Sequence, residues 1–390
     1  METRKLYYED CHLTEFTATV VDCRQAEKGW QITLDATAFY PEGGGQACDL
    51  GSLGSAKVLD VQEENEQVLH LCDGPLPEGA KVTGRINWQR RFDLMQQHTG
   101  EHIVSGIIHE MFRCHNVGFH IGADLITIDF DASIPPEALA QIEKRANEAV
   151  FKNLPVQCRY PDAQQLASLP YRTKRALPWP VRIIQIPGYD TCACCGVHVA
   201  ATGEIGIIKL FSCVKFHQGV RIEMACGARA LDILTQAYEQ NRLVSQAFSA
   251  KIMETGTAAQ RMNDALAAEK SRANGLQRQL LDTIAAGFEG KGDAVHFAEN
   301  FPPAAIRELA ERIANRCRGV AVVFSGSDKT GYNVCIVSKT GDVSQLGKSM
   351  NTQLSGQGGG KHGFFQGNVK ATRAEIESFW GVCFGKLSQF

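Results

Sequence analysis

Two short motifs, far apart along the chain, constrain the fold more than any other feature. His98-Thr-Gly-Glu-His102 places two imidazoles four residues apart, and Cys194-Cys-Gly-Val-His198 repeats the spacing with a thiol and an imidazole. On a helix, positions i and i+4 share a face, so His98 and His102 can address one ion. A tight Cys-x-x-x-His turn can supply two more donors, completing the tetrahedral nitrogen and sulfur shell that zinc prefers. One such pair alone would read as ordinary core histidines. Two pairs point to Zn2+, or a similar divalent ion, held by His98, His102, Cys194 and His198.

The 390 residues suffice for two or three domains, and 44% hydrophobic against 21% charged residues is the balance of a soluble globular protein. No apolar run is long enough to span a bilayer, and the N-terminal residues lack the apolar core of a signal peptide, so the expected location is the cytoplasm and no membrane partner is expected. The 14 cysteines are spread from Cys11 to Cys383 and read as reduced thiols, with only Cys192, Cys194 and Cys195 clustered. Charge is uneven. Residues 300–390 hold 11 Lys/Arg against 6 Asp/Glu, a local +5 that leaves −8 elsewhere for a net charge of −3. A basic C-terminal module on a mildly acidic body suits an anionic partner.

The patterning predicts an α+β protein in four parts. Residues 1–90 read as a small β-barrel, because the stretches 16–22, 30–35, 57–61 and 68–71 are β-rich and separated by turn signals. Within it, Phe39-Tyr-Pro-Glu-Gly-Gly-Gly-Gln46 is a loop whose glycines allow close backbone approach. Residues 91–227 alternate helix and strand: an amphipathic helix over 93–112 carrying both histidines, a strand at 126–130, a proline-opened helix over 135–151 and a strand at 181–186. Residues 228–288 predict a helical linker or hairpin, broken at Thr255-Gly256 and restarted by a capping box at Thr257. Residues 289–390 predict an α/β domain with strands at 321–324 and 332–337 and a glycine-rich loop over 354–367. The loop's Gly359, Lys361 and His362 could cradle a phosphate, although the P-loop spacing needed for ATP hydrolysis is absent.

Five segments in order, Phe39–Gln46, Met95-Gln-Gln-His-Thr-Gly-Glu-His102, Gly118-Phe-His-Ile-Gly122, Cys194–His198 and Thr202-Gly-Glu-Ile-Gly206, resemble the alanyl-tRNA editing (AlaX) family in its long form. That family is similar to the editing and C-terminal portions of alanyl-tRNA synthetase. Where the family usually has Cys-Gly-Gly-Thr-His, this chain has Cys194-Cys-Gly-Val-His198, keeping the outer ligand types and changing the loop between. The resemblance implies a zinc-binding editing domain at 91–227 and a tRNA-binding, dimerising domain at 289–390. It also implies a hydrolase for tRNA(Ala) mischarged with serine or glycine, working as a homodimer. Only about 90 residues precede the metal helix, so aminoacylation activity is not expected.

Through the resemblance, Glu101 and His120 are the candidate catalytic residues. Glu42, Gly43, Gly44, Gly45 and Gln46, with Gly359, Lys361 and His362, are the candidate tRNA-contacting residues. Two other readings stay open. His98-Thr-Gly-Glu-His102 also matches the His-x-x-Glu-His signature of inverted zinc peptidases, which requires a distant carboxylate as third ligand. A zinc-stabilised tRNA-binding module without catalysis would retain binding and lack deacylation.

Overall fold

The computed structural model describes residues 2–173 and 179–387, a mixed α+β chain dividing into two compact units, Met1–Val244 and Ser245–Phe390. In the first unit the strands Glu15–Ala26, Gly29–Leu34, Gln67–Cys72, Ala56–Glu64, Gly51–Leu53 and Lys81–Ile86 pair antiparallel, in that spatial order, into a closed barrel. Alternate residues point inward, as the two-residue strand period demands. Val20, Ile32, Leu34, Phe39, Leu53, Val58, Val61 and Val68 thereby fill the interior. His70 shares that interior, bonded to Thr37 Oγ1 at 2.9 Å and to the Ile32 carbonyl at 3.0 Å.

Helix α1 (Trp88–Phe112) leaves the barrel, capped by Asn87, whose side chain accepts from the Arg90 amide. A four-stranded antiparallel sheet packs with it, ordered Ile208–Phe216, Gly219–Cys226, Ile126–Phe130, Asn116–Ile121. Helix α2 (Leu139–Lys152) lies on the same core, which joins Ile103, Ile107 and Ile108 to Ile126, Ile142, Ile222 and Met224. A separate three-stranded sheet, Gln157–Arg159, Ile183–Ile186 and Asp190–Ala193, runs into the cysteine motif.

One property of α1 separates it from an ordinary amphipathic helix. From Leu94 to Ile108 every residue is buried, including Gln96, Gln97, His98, Thr99, Glu101, His102 and Ser105. Burying so many polar groups is costly unless each is bonded. Such a helix holds a site as well as a core. Its closeness to the last strand of the small sheet depends on Gly106, where a Cβ would stand 2.2 Å from the Tyr189 carbonyl oxygen.

In the second unit, helix Thr255–Ala286 precedes a five-stranded sheet ordered Ala294–Ala298, Ala321–Ser327, Gly331–Val337, Phe364–Val369, Gln357–Lys361. The first two strands are parallel and joined through helix Pro303–Ala314, while the other pairings are antiparallel. Two expectations fail here. Helix Thr255–Ala286 already contains Thr257, so no capping box opens it there; the preceding helix ends at Ala247 and a 3-10 turn covers Ile252–Glu254. The glycine-rich stretch is no loop but an edge strand, Gln357–Lys361, exposed throughout, hairpinned to Phe364–Val369. Its outer edge lacks a strand partner among the described residues, although Asn351 Nδ2 donates to the Gly358 carbonyl at 3.1 Å. Among the described residues no helix is long and apolar enough to cross a membrane.

Candidate metal centre

His98, His102, Cys194 and His198 converge, each offering a ligand atom within 4.8 Å of the others. All three histidines are buried, and Cys194 as a residue is partly exposed. The outward nitrogen of each ring has its own partner. His98 Nδ1 lies 2.8 Å from Gln46 Oε1, and His102 Nδ1 lies 2.9 Å from Asp190 Oδ2. His198 Nδ1 lies 3.2 Å from Thr99 Oγ1, whose own hydroxyl donates to the Met95 carbonyl at 2.8 Å. Amide oxygen, carboxylate and a hydroxyl already committed as donor can only accept, so each Nδ1 carries the proton. In the neutral form of each ring, Nε2 then turns its lone pair inward. His198 Nε2 is buried and bonded to nothing.

Electrostatics agree with that donor set. Burial pushes the Cys194 thiol up, but the surrounding imidazoles, His98 first, outweigh it and hold the thiol well below its usual range. Burial with His98 beside it lowers His198 to about 3. Burial also works against charge on His102, yet its bond to Asp190 and the neighbouring Cys194 lift it to about 9. The protein alone thus balances a thiolate with a proton on His102. A divalent cation can take that proton's place, as expected where metal binding displaces protons. One thiolate and three Nε2 atoms, that of His198 otherwise orphaned, fit zinc.

Long-range contacts shape the cysteine turn. Arg182 donates from one terminal nitrogen to the carbonyls of Cys194 at 3.0 Å and Gly196 at 2.7 Å. Its guanidinium stacks 4.4 Å over the ring of Tyr8, whose hydroxyl donates to the Cys195 carbonyl at 2.6 Å. Asp190 is itself gripped by Arg172 through two 2.8 Å bonds. None of Tyr8, Arg172, Arg182 or Asp190 carries a sequence signal tying it to the site.

The other sequence candidates divide. Glu101 is not a solvated helix residue; it is 1% exposed. Its Oε1 accepts from Ser105 Oγ at 2.6 Å and from Asn116 Nδ2, and its Oε2 lies 4.0 Å from His102 Nε2. Gly43, Gly44, Gly45 and Gln46 reach the site as a tight turn: Gly43 and Gln46 exchange two 3.0 Å backbone bonds, and φ of +61° and +85° at Gly44 and Gly45 suits glycine. Glu42 points outward, exposed, toward Gln62. His120 is the other catalytic candidate. It is exposed one residue after Phe119, whose ring lies 5.2 Å from that of His98, and neighbours on a strand face opposite ways. Gly359 and Lys361 lie on the exposed edge strand of the second unit, with His362 in the turn that follows. Cys192 is buried near His102 and Asp190, whereas Cys195 is exposed.

Three families match along the chain: "tRNA synthetases class II (A)" over residues 2–90, "Threonyl and Alanyl tRNA synthetase second additional domain" over 181–223, and "DHHA1 domain" over 290–379. The second contains Cys194 and His198. "Alanyl-tRNA editing protein Aarsd1" of Danio rerio is 27% identical over 95% of both chains. "Alanyl-tRNA editing protein Aarsd1-A" of Xenopus laevis is 29% identical over 94% of this chain and 95% of its own. The chain is a homologue of the alanyl-tRNA editing proteins. It is also 30% identical to "Alanine--tRNA ligase" of Thermofilum pendens over 95% of this chain, but spans only 43% of that protein. Among solved structures, the C-Ala domain of Aquifex aeolicus alanyl-tRNA synthetase matches 24% of this chain and 92% of its own, at 23% identity and a TM-score of 0.21.

Proposed function

We propose that this protein hydrolyses the ester of tRNA(Ala) mischarged with serine or glycine, at a zinc ion held by His98, His102, Cys194 and His198. The observation that carries the reading is the convergence of those four donors, each imidazole fixed by an outer bond, in a homologue of editing proteins. A synthetic pocket for alanine cannot exclude smaller glycine and rejects serine poorly, so a second, hydrolytic sieve answers a real need. A peptidase reading fares worse, because the donors completing the site are a thiol and an imidazole rather than a carboxylate.

Bound zinc would supply positive charge to orient the substrate and lower the pKa of nearby water. Glu101 presents Oε2 to the site while Ser105 and Asn116 hold Oε1. It takes a proton from the attacking water and returns it to the ribose oxygen as the carbonyl reforms and the ester C–O bond breaks. The products are free amino acid and intact tRNA. The buried walls around the three histidines exclude other water. On the second unit, Gly359, Lys361 and His362 meet RNA phosphates from the exposed edge strand, and the chain acts as a cytoplasmic homodimer.

Deacylation of Ser-, Gly- and Ala-tRNA(Ala), by the wild type and by His98→Ala, tests this. The first two should be hydrolysed, Ala-tRNA(Ala) spared, and the variant inactive. Hydrolysis that ignores the amino acid, or survives in the variant, would overturn it. Tight tRNA binding with no hydrolysis would instead favour a non-catalytic binding module.

A further inference from the structure

We infer that Gln46 is a two-ended residue of the reaction centre: its Oε1 orients His98, and its Nε2 donates a hydrogen bond to the carbonyl oxygen of the scissile ester. The inference rests on the hydrolytic reading above. Gln46 closes the Gly43–Gln46 turn and is 1% exposed. Its oxygen is committed to His98 Nδ1 at 2.8 Å, while its Nε2 is buried and bonded to nothing.

The amide cannot be flipped without losing function. With Nε2 of His98 directed at the metal, Nδ1 must carry the ring proton, so the glutamine must present oxygen to it. The amide nitrogen is then left as a pure donor. A buried donor without an acceptor destabilises the site it sits in. An acceptor arriving with the substrate would recover that cost. The ester carbonyl oxygen is the acceptor whose negative charge grows as water attacks, so a fixed donor there favours the transition state over the ground state.

The surroundings hold this amide in place. A Cβ at Gly196 would stand 2.1 Å from His98 Cε1 and 3.3 Å from Gln46 Oε1, and a Cβ at Gly45 would stand 2.7 Å from the Phe119 ring. Two glycines therefore let the turn and the cysteine loop close over the His98–Gln46 pair. This makes the turn part of the reacting centre rather than a contact for the RNA backbone.

Two substitutions separate the two ends. Gln46→Glu keeps an acceptor for His98 and removes the donor; Gln46→Leu removes both. Zinc affinity, measured by chelator competition, and the visible spectrum of the Co2+ form report the first end. Single-turnover hydrolysis of Ser-tRNA(Ala) reports the second. Gln46→Glu should keep zinc affinity within about threefold and the Co2+ spectrum unchanged, yet lose about 10²–10³ in rate. Gln46→Leu should lose about 10–100-fold in zinc affinity as well. Full activity in Gln46→Glu would refute the donor role and assign the orphan nitrogen to a structural water. Unchanged zinc affinity in Gln46→Leu would refute the orienting role. If the wild type itself hydrolyses no mischarged tRNA, the functional reading fails while the zinc measurements still decide the His98 contact.

Discussion

Replacing Arg91 by alanine is expected to cost far more than a surface ion pair would. Arg91 and Asp49 are 0% and 1% exposed at their side chains. Arg91 Nε lies 2.8 Å from both carboxylate oxygens, one terminal nitrogen bonds both the carboxylate and the Ala38 carbonyl, and the other reaches the Cys11 carbonyl at 3.3 Å. Removing the guanidinium leaves a buried carboxylate with the Tyr40 amide, at 2.6 Å, as its remaining bond in this network. Breaking one partner of a buried pair costs about 3–5 kcal/mol, because the other charge is stranded. With a urea m-value of about 1–3 kcal/mol/M, the midpoint of the first unit's unfolding should fall by at least about 1 M. The Ala38–Asp49 segment carries Gln46, so zinc affinity should fall too. The double variant Arg91→Met, Asp49→Leu should be less destabilised than the sum of its singles by at least about 2 kcal/mol. Urea unfolding with hydrogen exchange along α1 measures this. A loss below about 1 kcal/mol for Arg91→Ala, or additive singles, would refute the reasoning.

Three further outcomes are expected. Burial lowers the barrel residue His70 to about 4. The unfolded chain takes up its proton near pH 6.5 and the folded one does not, so this contribution is full above about 6.5 and lost as pH falls toward 4, about 3 kcal/mol in all. His70→Gln should flatten the pH dependence of the unfolding midpoint in that window, and an unchanged slope would exclude His70 as its source. Asp190→Asn weakens the acceptor of His102 and the grip of Arg172. It should lower zinc affinity about 10–100-fold by chelator competition, and unaltered affinity would count against an orienting role. Glu101→Gln should lower kcat by about 10²–10⁴ with zinc content and KM little changed; retained kcat would remove Glu101 from proton transfer.

The ligand motifs were readable because their information is local. His98 and His102 share a helix face by the 3.6-residue period, and Cys194 and His198 share one turn. The partners that fix their rings were not readable, since Gln46 and Asp190 lie far from them in sequence and only packing brings them close. The reading of Gly118–Gly122 came from the resemblance alone and did not use strand parity. The neighbouring apolar Phe119 faces the site and His120 faces away, and an alternation argument applied to Ile121 would have found this. The glycine stretch at 357–361 gave no strand signal because glycine lacks the side chain that pattern arguments need; hairpin pairing with Phe364–Val369 makes it one.

Residue types and their short spacings determined the donor set, a thiol with three imidazoles, because ligand chemistry depends on side-chain identity over a single turn. Tertiary structure decided what those donors can do. It turned each Nε2 inward, buried Glu101 against Ser105 and Asn116, and set the orphaned amide of Gln46 beside His98. These depend on the loop closures and close helix–strand contacts that bring distant segments together, and no window of sequence contains them.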